Sequence, residues 1–203
     1  MGIQEATLNV KNVLDCQEKL TDNISLLNDF IQNDKLYLTD LKGISGIYAF
    51  WWCGERNKLT TAFTNCDYRL KGKRSETELL KVFFTEEWAD KASFDNKVCL
   101  YVGKSTDIKG RISKHLKLQT EDIWTKKDGV VIDKNQGIKP NTESQLRTGI
   151  ERLFNKSIFD GLIENIGISW ILLDEYKNGV NRFYLEDYFI GKHFPLFNID
   201  IER

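Results

Sequence analysis

Three short apolar segments predict the strands of a small β-sheet. Residues 44–52 read ISGIYAFWW and residues 98–103 read VCLYVG; both are rich in β-branched and aromatic side chains, which favour buried strands. Residues 168–174, ISWILLD, have the same character. We therefore predict a central sheet of about three strands.

Apolar residues at helical spacing predict four helical segments around this sheet. They cover residues 21–33, 108–118, 143–165 (one helix or a pair) and about 182–193. Asp107 is expected to cap the second segment, Asn178-Gly179 predicts a turn before the last one, and Pro195 is expected to end it. Strands and helices therefore alternate irregularly, which favours an α/β (α+β) domain with a sheet flanked by helices.

The length of 203 residues suits one domain, 1–203, rather than two. Its core is predicted over about 44–52 and 98–200, with an N-terminal helical extension over 1–43. The segments 53–97 and 118–142 are long for connections inside a compact domain, so we interpret them as insertions that carry elements or functions of their own.

Composition restricts the classes of function only weakly. The formal net charge is -1, so the chain as a whole does not indicate a polyanionic partner. The cysteines form no CxxC pair, so a structural zinc site is not expected, and they fit free thiols in a reducing cytosol: Cys16, Cys53, Cys66 and Cys99. The N-terminus has no apolar segment of a signal peptide, and no apolar run approaches the ~18 residues of a membrane span. We expect a cytoplasmic protein without a membrane partner.

Two segments are locally basic. Residues 56–74 hold six basic residues against Asp67, and residues 104–127 hold seven against three acidic ones. Such runs are usually solvated faces, but next to a phosphate-cleaving site they would hold a DNA backbone. Tyr68 and Trp124 lie within these runs and are weaker candidates for stacking on bases.

Seven polar residues near strand ends and on helices are candidates for chemistry: Tyr48, Tyr101, Lys104, Arg111, His115, Glu186 and Asn198. Arg111 and His115 are four residues apart and share one helix face. Phosphodiester hydrolysis needs a carboxylate for a hard divalent ion, an arginine for the phosphate oxygens, and a tyrosine or histidine for the attacking water. Taken one at a time, each of these residues is more often structural than functional, so their combination is what matters.

The order of these residues resembles the GIY-YIG nuclease superfamily. Residues 46–48 read GIY, residues 101–103 read YVG, and the run YVGKSTDIKGRISKHL places Lys104 and Arg111 as the family's signature does. The segment NRFYLEDYFIGKHFPLFN is similar to the family's final helix and tail, with Glu186 and Asn198 at the matching positions. One departure is the long insertion between the two tyrosine motifs, which usually form a short hairpin.

The resemblance implies a GIY-YIG nuclease fold with long insertions. It also implies a role for each of the seven candidate residues. Glu186 would bind one Mg²⁺ or Mn²⁺ ion, and Arg111 would hold the scissile phosphate. Tyr48 and Tyr101 would position the attacking water, one of them as general base, and which one is left open. Lys104 and His115 would assist with protons or phosphate contacts, and Asn198 would brace the site.

The function that this resemblance implies is a metal-dependent endonuclease on double-stranded DNA, restriction-endonuclease-like and of type II. Cleavage of both strands of a palindrome would suit a homodimer. Two alternatives stay open: a structure-specific DNA repair or recombination nuclease, and a DNA-binding module with a vestigial site. The intact set of Tyr48, Tyr101, Arg111 and Glu186 speaks against the vestigial module.

Overall fold

The computed structural model describes residues 5–33, 35–66, 68–71, 79–116, 124–127, 130–133, 145–156, 158, 160–173 and 176–199. Its α-helices are α1 (Val10–Cys16), α2 (Arg56–Asn65), α3 (Glu86–Lys91), α4 (Ile108–Leu116), α5 (Gln145–Phe154) and α6 (Gly179–His193). Its strands are β1 (Ser25–Leu26), β2 (Ile31–Gln32), β3 (Lys35–Leu36), β4 (Gly46–Trp52), β5 (Tyr68–Lys71), β6 (Leu79–Val82), β7 (Ser93–Phe94), β8 (Lys97–Ser105), β9 (Trp124–Lys127), β10 (Val130–Asp133) and β11 (Ile166–Leu172).

The main sheet has five antiparallel strands in the order β1-β11-β4-β8-β7. Its three central strands are those that the apolar segments predict, so the α+β class and the central strands are confirmed. The expected number of about three strands was too low, because β1 and β7 have only two residues each. Strands of that length leave no detectable periodicity in a sequence.

Strand β4 is buried along all seven of its residues because helices cover both faces of the sheet. On one face, Trp52 stacks on Phe154 of α5 with ring centroids 4.9 Å apart. On the other face, Trp51 meets His193 of α6 edge-on at 5.4 Å. Alternate side chains of a strand point to opposite faces, so this continuous apolar run is a strand buried on both sides.

The helix predicted over residues 21–33 is wrong. This segment contains β1, a 3₁₀ turn over Leu27–Phe30 and β2. Ser25 and Leu26 pair with Ile168 and Gly167, so the backbone completes the edge of the sheet instead of bonding within a helix. Tertiary pairing overrides helical spacing here. Of residues 5–33 and 35–43, only α1 is α-helical, so the N-terminal extension is less helical than predicted.

The other helices differ from the prediction mainly at their ends. The predicted helix at 143–165 is confirmed only as α5, and Asn155 follows it with a left-handed φ of 52°. The last helix begins at Gly179 rather than near 182, so Asn178-Gly179 starts a helix instead of forming a turn. It ends at His193, where Phe194 adopts a left-handed φ of 44° just before Pro195.

The insertion at 53–97 contains α2, the antiparallel pair β5–β6, α3 and β7. In the described part of the second insertion, β9 pairs with β10. The predicted helical residues 117 and 118 lie outside the described residues. Within the described part of the chain, no helix is both long and apolar enough to cross a membrane.

A fully buried ion pair lies within α5, and its arginine also bonds to the end of α4. Arg147 Nε donates to Glu151 Oε1 at 2.9 Å, and both side chains are inaccessible to solvent. Arg147 Nη1 donates to the carbonyl of Leu116, the last residue of α4, at 2.8 Å. The amide of Ile158 donates to the same Glu151 oxygen at 2.9 Å. This network fixes the end of α4 against α5.

Candidate active site

The register of β4 and β8 brings the two motif tyrosines together. Tyr48 lies opposite Gly103 and Phe50 lies opposite Tyr101, so both tyrosines are on one face of the sheet. Their ring centroids are 6.3 Å apart. Gly103 makes this possible, because a Cβ at that position would lie 2.5 Å from the Tyr48 hydroxyl oxygen. The glycine of the YVG motif therefore leaves the space that the Tyr48 ring occupies.

Gly103→Ala is expected to destabilise the protein by about 1–3 kcal/mol, the usual cost of overpacking a core. Tyr48 is fully buried, so its ring cannot move aside cheaply. Urea unfolding would measure the effect. Gly191→Ala is the matched control: no atom lies within 4 Å of its added Cβ, and alanine favours the helix. A Gly103→Ala protein as stable as wild type would contradict this account of the motif.

Helix α4 adds His115 and Arg111 to the tyrosine pair. The Tyr48 hydroxyl lies 2.8 Å from His115 Nε2, and the His115 ring meets Tyr101 edge-on at 4.8 Å. Asp107 caps this helix, as predicted, by accepting from the Gly110 amide at 3.1 Å. The same Asp107 oxygen accepts from the Gly43 amide at 3.0 Å, which fixes the helix start to the segment before β4.

Burial sets the charge states of this cluster. It raises the pKa of both phenols above the usual tyrosine value, and the Arg111 guanidinium offsets part of that rise. Burial, with the charge of Arg111 as the second cause, lowers the pKa of His115 to about 3. At neutral pH, His115 is therefore neutral and both tyrosines keep their protons. His115 is inaccessible to solvent, so the direct phosphate contact expected for it is not available.

Glu186 of α6 is held at the end of β8. Its Oε1 accepts from the Lys104 amide at 3.0 Å, and its Oε2 pairs with the Lys104 ammonium. The same ammonium lies 5.1 Å from the centroid of the exposed Phe183 ring. The carboxylate is close enough to contribute to the raised pKa of both Tyr48 and Tyr101. The acidic and phenolic parts of the candidate site are thus neighbours.

Asn198 braces β8 from the segment that follows α6. Its Oδ1 accepts from the Val102 amide and its Nδ2 donates to the Val102 carbonyl, each at 2.7 Å. The side chain therefore takes the place of a strand partner between Tyr101 and Gly103. The role of Asn198 in bracing an active site, which the resemblance implies, stays a prediction.

A cleft of about 480 Å³ opens beside this cluster. Its walls hold four cationic side chains and one carboxylate, and the lining residues are Lys104, Ser105, Thr106, Asp107, Gly110, Arg111, Lys114, Gly179 and Arg182. The positive excess makes the cleft suitable for an anionic ligand.

Glu186 is the one carboxylate among the seven candidates, and a carboxylate is a ligand type that Mg²⁺ prefers. No group of three or more His, Cys, Asp or Glu residues that could hold a metal lies within the described residues. Mg²⁺ typically keeps several waters and takes only one or two carboxylates, so a protein cage is not needed. The Glu186 side chain is 17% exposed and can meet such an ion once the Lys104 ammonium moves aside.

The seven candidates from the sequence thus gather around the ends of β4 and β8. Arg182 was missed because nothing in its local sequence marks it as a cleft residue, and Ser45 was missed as an acceptor that holds Arg182 in place. Tyr68 is wrong as a base-stacking residue: it is fully buried against Phe84 and Phe197. The side chain of Trp124 and most of the basic residues in 69–74 and 117–127 lie outside the described part of the chain.

Comparison of the chain with protein-family models, with curated protein sequences and with solved structures finds no match.

Proposed function

We propose that this protein is a metal-dependent DNA endonuclease of the GIY-YIG type, with the fold of that superfamily enlarged by insertions. The observation that carries the proposal is the convergence of Tyr48, Tyr101, Arg111 and Glu186, which are far apart in sequence, beside one cationic cleft. Three different chemical groups that phosphodiester hydrolysis requires are thereby available at one place.

Each side chain then has a role set by its position. Arg111 lines the cleft and can hold the scissile phosphate through its planar guanidinium. Tyr101, 8% exposed, can contact the attacking water, whereas Tyr48 is fully buried behind it. In the tautomer whose Nε2 carries no hydrogen, His115 accepts a hydrogen bond from the Tyr48 hydroxyl and orients that phenol. Tyr48 and His115 are therefore proposed to position Tyr101, without contacting the attacking water themselves.

Glu186 would hold one Mg²⁺ or Mn²⁺ ion. When bound, such an ion polarises the phosphate and stabilises the leaving oxygen. Lys104 would leave the carboxylate, and its side chain, which lines the cleft, could contact the phosphate there.

The substrate we propose is double-stranded DNA, cut by a type II restriction-like enzyme that acts as a homodimer. The positive charge of the cleft favours a polyanionic substrate, although the net charge of the chain is only -1. Digestion of supercoiled plasmid and genomic DNA with Mg²⁺ or Mn²⁺ tests this. Discrete fragments with a common end sequence are expected. Cleavage that follows junction shape, in a panel of branched and flapped substrates, would replace the restriction proposal by the repair alternative.

One observation favours a second candidate, a DNA-binding module with a vestigial site. Both oxygens of Glu186 already accept hydrogen bonds from Lys104, so the carboxylate is neutralised within the protein itself. Salt-dependent DNA binding without any metal-dependent cleavage would select this candidate and end the nuclease proposal.

A further inference from the structure

Arg182 of α6 is a buried cation for which the described residues supply no anionic partner. The residue is 8% exposed, and its Nη1 donates to Ser45 Oγ and to the Leu173 carbonyl, each at 3.1 Å. Ser45 Oγ in turn donates to the same carbonyl at 2.6 Å. Within the described residues, no carboxylate forms an ion pair with this guanidinium. Both acceptors are neutral, whereas buried charges are usually paired.

Arg182 faces the cleft, and both of its described hydrogen bonds are made through Nη1. Arg182 lines the cleft, and a Cβ added to Gly179 would meet Arg182 Nη2 at 3.7 Å, which places Nη2 beside the start of α6. Lys114, an exposed residue of α4, lines the same cleft. The carboxylate in the lining, Asp107, is engaged through Oδ1 with the amides of Gly43 and Gly110. An anion in this cleft would therefore have Arg182, Lys114 and Arg111 among the residues around it.

We propose that Arg182 and Lys114 form a second phosphate-binding position, which holds a DNA phosphate that flanks the one being cut. This inference rests on the proposed function for the identity of the ligand. The position is separate from the site of cleavage, because Tyr48, Tyr101 and Glu186 do not line the cleft, whereas Arg111 lies in both. A DNA strand with its scissile phosphate on Arg111 has another phosphate one nucleotide along, and the cleft offers it a fixed cation.

The hydrogen bonds of Arg182 to Ser45 and Leu173 orient its guanidinium for a phosphate. Its two bonds through Nη1 fix the plane of the guanidinium before a ligand arrives, so little side-chain freedom is lost on binding. A phosphate oxygen would also supply a negative charge, which the described residues do not place on this guanidinium. The strand would then be held at two successive phosphates, which sets its register relative to the tyrosines.

DNA affinity as a function of salt tests the proposal without cleavage. Binding of a short duplex is measured in EDTA at salt concentrations of about 50–200 mM, where each phosphate contact contributes about one to the slope of log affinity against log salt. Arg182→Gln and Lys114→Gln are each expected to reduce this slope by about one. Arg182→Lys should keep the slope, and Lys97→Gln, which removes a half-buried cation paired with the exposed Asp95, should leave it unchanged.

Thermal unfolding of each variant shows whether Arg182 acts only as a structural tether. If Arg182→Gln fails to fold, Lys114→Gln decides the question, because that side chain is exposed. Folded variants of Arg182 or Lys114 that bind DNA with the wild-type slope would overturn the second phosphate position, even where the wild-type protein cuts DNA. Absence of cleavage by the wild-type protein is a separate result, and it would count against the nuclease function alone.

Discussion

Glu186→Gln should lower the rate of DNA cleavage by about a thousandfold or more, since a bound metal supplies several kcal/mol of stabilisation to the transition state. The amide keeps the size of the side chain and an acceptor for the Lys104 amide, so the fold should survive. Cleavage of plasmid under saturating Mg²⁺ measures the rate. Affinity for Mn²⁺, measured by calorimetry, should fall together with the rate.

The chain offers a matched control next to Glu186. Asp187→Asn removes a carboxylate one residue along α6, but this residue is exposed on another side of the helix. Its rate and its Mn²⁺ affinity should remain close to wild type. Equal losses in both variants, or full activity of Glu186→Gln, would remove Glu186 from the proposed site. DNA binding in EDTA should be at least as tight for Glu186→Gln as for wild type, because a negative charge beside the cleft is lost.

Glu151→Gln is expected to destabilise the protein by about 3–5 kcal/mol, the usual cost of removing one partner from a buried ion pair. Both Arg147 and Glu151 are inaccessible to solvent, so water cannot solvate the Arg147 charge after the carboxylate is removed. Urea unfolding followed by circular dichroism measures the change. Activity should also fall at temperatures below the unfolding midpoint, because Arg147 holds the carbonyl at the end of α4, the helix that carries Arg111 and His115.

Two comparisons separate the effect of burial from that of charge. Asp90→Asn breaks an ion pair with Arg56 whose side chains are 36% and 72% exposed, and should cost only about 0–1 kcal/mol. Replacing both buried partners, Arg147→Met with Glu151→Leu, should recover much of the stability lost in Glu151→Gln. If Glu151→Gln and Asp90→Asn have the same small effect, the buried pair does not stabilise the domain.

The sequence alone determined the central part of this fold and the list of candidate residues. The β-branched and aromatic residues of 44–52, 98–103 and 168–174 suit a buried strand wherever it lies in a chain, so local composition was enough for β4, β8 and β11. The same holds for the cap of α4, because Asp107 accepts from the Gly110 amide within its own turn. The order of the motif residues indicated which side chains belong together.

Only the tertiary structure decided the properties that depend on distant neighbours. Residues 21–33 have helical spacing, yet pairing with Ile168 and Gly167 makes part of them a sheet edge. His115 is neutral because the fold buries it next to Arg111, and burial cannot be read from a local pattern. Arg182 is held at the cleft by hydrogen bonds to the Leu173 carbonyl and to Ser45, and Ser45 is 137 residues away in sequence. Backbone pairing, desolvation and charge proximity all act between residues that only folding brings together, so a pattern along the chain does not contain them.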